Sequence, residues 1–193
     1  MRLVKICGFF VLAILFAGVG LAGEKTDFVF SSFFDPYNLG GHGIAGELLH
    51  PATISCPGFE ATGIPMQPCP PGSNIHWRGS VLKVRLVSSD VRVNGWCTII
   101  ANGNWDPDFT GPVWGTFSLA VDGGGIWEGT FEGQRWKEGN HWVGVDHQVG
   151  HGTQGPVEGL VMRNVETITS PTPMPALYWG ETTGIILEPG KKH

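Results

Sequence analysis

The sequence predicts an all-β fold: a single antiparallel meander β-barrel of about eight strands, with a β-sandwich as the alternative. Three observations lead there. The 193 residues include 30 glycines and 14 prolines; an interior glycine costs a helix about 1 kcal/mol and a proline about 3 kcal/mol, so few stretches are left for helices. Apolar and polar residues alternate with period two over long runs, as in half-buried strands. Turn signals recur between those runs. With 41% hydrophobic residues and eight Trp, the chain can pack a core despite its glycine and proline content, which excludes disorder. Its length fits one domain.

At the N-terminus, Arg2 and Lys5 precede an apolar run over 6–21 that ends at the small residues Gly20 and Ala22. This pattern predicts a secretory signal peptide over 1–22 and a mature β-barrel domain over 23–193, secreted or periplasmic. The apolar run is shorter than the roughly 20 residues that span a bilayer, so no stable membrane insertion is expected after cleavage. Twelve Lys and Arg against 17 Asp and Glu leave no phosphate-neutralising face, which excludes a nucleic-acid partner.

The strands follow in order. A first strand is expected over 26–34. Residues 56–73, dense in proline, are expected to form an irregular loop. Over 76–88, Leu82, Val84 and Leu86 alternate with Lys83 and Arg85, a half-buried strand. Asn94-Gly95 between β-branched and aromatic runs predicts a tight hairpin, because both residue types accept positive φ. Asn102-Gly103 is expected to close the next strand and open a polar loop at Asn104. Residues 113–121 and 127–132 alternate on either side of Asp122-Gly-Gly-Gly125, a second hairpin whose arms echo each other in Trp114-Gly-Thr-Phe117 and Trp127-Glu-Gly-Thr-Phe131. Further strands are expected over 141–149, 157–167 and 182–187, with a proline-rich connector at 170–175. Meander connections and glycine-rich strands favour the barrel over the sandwich.

In the exported chain the cysteines are Cys56, Cys69 and Cys97. A Cys56–Cys69 disulfide would close the proline-rich loop and stabilise it by roughly 3 kcal/mol in the chain-entropy account. Cys97, within Trp-Cys-Thr-Ile-Ile, reads as a buried thiol.

His141, His147 and His151 are all odd-numbered, so an unbroken strand turns all three to one face, with Asp146 on the other. His141 and His147 would lie about 20 Å apart at roughly 3.3 Å per residue, too far to share an ion. Only His147 and His151, with His42 as a third ligand, form a candidate metal set; the competing reading makes them polar groups lining or capping the barrel. No cofactor is otherwise called for. Asp106 and Asp108 flank a proline and read as a solvated turn. The sequence has no Gly-x-Ser-x-Gly, no phosphate-binding Gly-x-x-x-x-Gly-Lys and no His-Glu-x-x-His, so no catalytic centre is identified. The aromatic residues either pack the core or line a ligand cavity; the candidate ligand-binding residues are Trp114, Trp127, Phe131, Trp142 and His147.

Gly150-His-Gly-Thr-Gln-Gly-Pro-Val-Glu-Gly-Leu160, following a glycine-rich amphipathic hairpin, resembles the glycine-rich strand of the allene oxide cyclase and dirigent-like barrels, over about 115–163. Gln154 and Pro156 depart from that pattern. The resemblance implies a small eight-stranded barrel with an apolar interior, and it transfers no catalytic residue. The function expected is an exported barrel binding a small apolar or cyclic ligand; the alternatives are a cyclase or isomerase of allene oxide cyclase-like type and a structural or carbohydrate-contacting envelope protein.

Overall fold

In a computed structural model the described residues are 24–62, 69–172 and 176–189. The signal-peptide reading lies outside them, as do residues 63–68 of the proline-rich segment and 173–175 of the later connector. Eleven strands are present among the described residues: β1 (Lys25–Phe34), β2 (Glu47–His50), β3 (Thr53–Cys56), β4 (Phe59–Thr62), β5 (Ile75–Ser88), β6 (Gly95–Trp105), β7 (Gly111–Val121), β8 (Ile126–Glu138), β9 (His141–Gln154), β10 (Val161–Ser170) and β11 (Tyr178–Leu187). Two short 3-10 turns, Val91–Val93 and Gly155–Val157, are the helical segments described. No described helix is long and apolar enough to cross a membrane.

Strands β5 to β11 run as an antiparallel meander. β1 closes it, pairing along its whole length with β11, from Lys25 opposite Leu187 to Phe34 opposite Tyr178. Its second edge pairs with the end of β5, from Phe30 opposite Ser88 to Phe33 opposite Arg85. The result is a closed eight-stranded antiparallel barrel, the architecture the alternation predicts. The rest of that β5 edge is covered from outside the meander by β2 and β3, and β4 pairs with β3. The short strands β2 and β3 were not foreseen. Nor was β4, which orders part of the 56–73 segment expected to be irregular.

Two turn expectations need correcting. β5 and β6 are joined not by a two-residue hairpin at Asn94-Gly95 but through residues 89–94, where Asp90 caps the 3-10 turn by accepting from the Arg92 amide. Asn94, at its other end, has φ −78°. Asn102-Gly103 does not end β6, which continues to Trp105. Gly103 is required there by close approach, because a Cβ on it would collide with the Trp105 indole. The turn falls instead at residues 106–110, where Asp106 Oδ1 accepts from the amides of Asp108 and Thr110, both at 2.9 Å. The second hairpin turns where expected, with Gly124 and Gly125 at φ 88° and 100°.

One end of the barrel is solid. Trp127, Leu119, Val93, Val157 and Ile186 are fully buried there with Met162. Val93 and Val157 come from the two 3-10 turns and act as plugs, and the Trp127 indole N–H donates to Arg92 O at 2.8 Å. The glycine-rich segment that carries the family resemblance builds this plug: Gly152 passes so close to Val157 O that no Cβ fits between them. Toward the other end, where β5 begins and β6 ends, Trp77 and Trp105 stack at 5.2 Å in a second apolar cluster.

Cys56 and Cys69 sit at disulfide distance, with Cα atoms 6.0 Å apart. Cys97 is a buried free thiol, and burial raises its pKa.

Candidate functional site

Between the plugged end and the Trp77–Trp105 cluster the barrel holds a cavity of ≈ 100 Å³. Its walls are largely apolar, with Leu82, Ile99, Phe117, Phe131 and Ile168 among them, and half-buried Trp142 at the rim. The indole N–H of Trp142 donates to Asp108 O at 2.9 Å, tying the rim to the 106–110 turn.

Into this apolar space β8, β9 and β10 deliver a ladder of charged groups. Arg135 on β8 is opposite Gly144 on β9, so Asp146, two residues on, is its diagonal neighbour. Asp146 in turn is directly opposite Glu166 on β10. All three are buried, with 7%, 4% and 6% of their surfaces exposed.

Glu166 is well supported. Ser32 Oγ donates to its Oε1 at 2.8 Å and Gln148 Nε2 to its Oε2 at 2.7 Å. Burial raises its pKa, and these two donors oppose the rise by favouring the ionised form. Space for the arrangement comes from Gly180, whose missing Cβ would fall on Glu166 Oε1 and Ser32 Oγ.

Asp146 is not supported in the same way. Its Oδ1 is buried against Gly133 and has no hydrogen-bond partner among the described residues. Burial, then the charge of Glu166, pushes its carboxyl up to about 7, while Arg135 pulls the other way. Two opposed buried carboxyls disfavour ionising together, and of the two it is Glu166 that has donors for its charged form.

The Arg135 guanidinium lies 5.3 Å over the Trp105 ring, and its Nη2 donates to Thr172 O at 3.0 Å. Among the described residues its Nε has no partner. Burial brings its pKa down to about 10, so it remains a cation at neutral pH. Other interior polar atoms also lack partners among the described residues: Trp105 Nε1, both side-chain amide atoms of Asn164, and Thr182 Oγ1. Buried polar groups are nearly always paired, with protein or with ordered water.

The structure scatters the residues singled out from sequence. Phe131 and Trp142 line the cavity. Trp127 points inward but belongs to the solid end. Trp114, at an even position of β7, is on the outer wall, where the Arg78 guanidinium sits 5.0 Å over its ring. His147 does not line the cavity: the odd positions of β9 do share a face, but it is the outer one, where His141, His147 and His151 are all exposed. His42 lies in an exposed bend between β1 and β2. Among the described residues no three potential ligands form a metal-binding group, so the proposed His147, His151 and His42 set is not assembled.

Arg135, Asp146 and Glu166 were missed. The available signal was an inverted alternation: on β9 and β10 the valines face outward, with Val149 and Val165 each 37% exposed, while polar residues take the inward positions.

No protein-family model, no curated protein and no solved structure matches this chain.

Proposed function

We propose that this protein is an exported barrel that binds a small cyclic molecule inside its cavity, apolar over most of its surface and polar at one edge. One observation carries the reading: the cavity is walled largely by apolar side chains, with the ionisable side chains of Arg135, Asp146 and Glu166 in its lining. In ligand sites the apolar lining supplies affinity and a few placed polar groups supply orientation. An engineered apolar cavity of about 150 Å³ accepts benzene; at ≈ 100 Å³ this one is smaller, so a single ring would have to extend out at the Trp142 rim. The solid end leaves the rim as the side from which such a ring would enter.

Export is supported by the N-terminal pattern of Arg2, Lys5 and the apolar run, and by the Cys56–Cys69 pair, since disulfides persist in oxidising compartments. The barrel with an apolar interior also agrees with what the likeness to allene oxide cyclase and dirigent-like proteins implies, but a fold carries no activity with it.

Native mass spectrometry of the protein from its own exported fraction tests the binding reading. A copurified small molecule, lost in a Phe131→Trp variant that fills the cavity, supports it. Protein that emerges empty, and whose Trp emission and melting temperature do not respond to a panel of small cyclic compounds, overturns it.

A further inference from the structure

The outer wall carries an aromatic row that the interior site does not use. Trp179 on β11 is directly opposite Phe33 on β1, Phe33 is opposite Arg85 on β5, and Arg85 is opposite Trp96 on β6. Residues paired in this way point to the same side of a sheet, and all four hold outward positions. Trp179 and Trp96 are 40% and 43% exposed, although indoles are mostly covered in folded proteins. With strands about 4.8 Å apart, the two indoles stand about 14 Å from each other along the wall.

This row is the floor of a groove of ≈ 540 Å³, and the loop from Ile44 to Gly46 is its side. The loop is fixed in place. Buried Asp35 accepts from the amides of Leu39 and Gly40 at 2.7 and 2.8 Å, and its backbone bridges to Ala45. Gly46, at φ 76°, passes so close to Lys83 O and the Phe34 ring that no Cβ fits. A groove already shaped spares a ligand the cost of ordering it.

Its polar groups are of both signs. Glu181 is exposed, opposite Ser31 and two residues from Trp179. The Arg85 guanidinium donates to both carboxylate oxygens of Asp122, from Nη1 to Oδ1 at 2.7 Å and from Nη2 to Oδ2. Lys83 Nζ lies 5.3 Å from the Trp96 ring. An anionic polymer would meet Glu181 and Asp122, and a cationic one Arg85 and Lys83. A lipid chain would strip water from all of these without replacing it. A peptide finds no strand edge to extend, because β1, β5, β6 and β11 are each paired on both sides here. Hydroxyl groups suit both signs, since each can donate to a carboxylate and accept from a guanidinium or ammonium. A pyranose with equatorial hydroxyls keeps them at its edge and offers C–H faces, which the negative face of an indole favours.

We propose that this groove binds a neutral oligosaccharide of equatorially substituted pyranoses, one ring stacked on Trp179 and another on Trp96, with hydroxyls on Glu181 and Arg85. The site is separate from the interior cavity and does not depend on what that cavity holds.

Calorimetric titration of the exported chain with cellohexaose and chitohexaose tests it. At least one should bind, and more than about tenfold tighter than glucose, which can touch only one indole at a time. Trp96→Ala and Trp179→Ala should each weaken binding about tenfold or more, and Trp179→Phe, which keeps an aromatic face, by less. Trp136→Ala removes an exposed indole from β8, outside the groove, and should leave affinity unchanged. In ¹H–¹⁵N spectra of the wild type, a readout that needs no variant to fold, the indole signals of Trp96 and Trp179 should move with added sugar while that of buried Trp127 stays. No response to either oligosaccharide overturns the proposal, and so does glucose binding as tightly as the hexamers. Tighter binding of heparin or of anionic phospholipid vesicles, or a dimer that Trp179→Ala dissolves, overturns it as well.

Discussion

Asp146 and Glu166 form a directly opposed cross-strand pair inside the barrel, two carboxyl groups in one register position with unequal support. Like charges facing each other on adjacent strands destabilise a sheet. One member of this pair takes two hydrogen bonds, while burial and its neighbour's charge favour the protonated form of the other.

Stability should therefore fall as pH rises from about 4 to about 7. Asp146 has an ordinary carboxylate pKa near 3.9 when unfolded and about 7 when folded. Between those values the native state binds more protons, so its contribution is complete below the lower pKa and is lost through the upper one. Urea denaturation across this range should show a loss on the order of a few kcal/mol, reduced in Asp146→Asn to the part that Glu166, whose pKa burial also raises, contributes. Asp90 acts in the opposite sense: its pKa is lowered by the hydrogen bond from Arg92, so its contribution is present at neutral pH and disappears in acid. A flat profile from pH 4 to 7 would mean that Asp146 is ionised throughout.

Two inward glycines should respond differently to a methyl group. Gly180→Ala would drive a carbon into Glu166 Oε1 and Ser32 Oγ and should cost about 1–3 kcal/mol. Gly144→Ala meets nothing nearer than Gln134 O at 3.7 Å and should stay within about 0.5 kcal/mol of the wild type. Equal effects on the urea midpoint would show that the carboxylate site is not tightly packed.

At the solid end, Trp127→Ala removes a fully buried indole and should cost about 3–5 kcal/mol. Trp127→Phe keeps most of the ring but loses the bond to Arg92 O, and should cost about 1–2 kcal/mol. If both variants unfold at the wild-type urea concentration, this end contributes nothing as a core.

Thiol chemistry checks the covalent framework. In a chain that begins at Gly23, iodoacetamide should label no cysteine in the native state and only Cys97 after denaturation without reductant, because Cys97 is buried and burial disfavours its thiolate. Labelling of Cys56 or Cys69 under those conditions would show that the pair is open.

On the outer wall, His147→Ala and His151→Ala should each leave stability within about 0.5 kcal/mol, as exposed substitutions do. A larger loss for both would indicate a shared role that their outward placement does not provide.

How much of this was legible in the sequence varies from element to element. The alternation of Leu82, Val84 and Leu86 with Lys83 and Arg85 located β5 and its inward face correctly, because one set is apolar and the other is long and charged. The Asp122-Gly-Gly-Gly125 turn was equally clear. Asn94-Gly95 misled because the pair potential of a two-residue turn was outweighed by Val93, whose burial in the plug favours the longer 3-10 connection. Strands β2 to β4 have no strong alternation; β2 and β3 are held by the open edge of β5 and β4 by β3, long-range facts. The site was hidden for a different reason. Period two shows which residues share a face of β9, not which face is inside, and with valine and histidine on one side and Asp146 and Gln148 on the other, the usual rule of apolar inside points the wrong way.

The seam made by β1 also affects the order of events in folding. A meander can zip up locally from hairpin to hairpin, but this one stays an open sheet until Lys25 meets Leu187, so the first strand must wait for the last. Such long-range closure slows folding and leaves the edges of β5 and β11 bare in the meantime. Premature pairing of those edges between two chains would be this protein's characteristic misassembly. A chain cut before β11 should be trapped as an open sheet, because β1 would then have only its short pairing with β5.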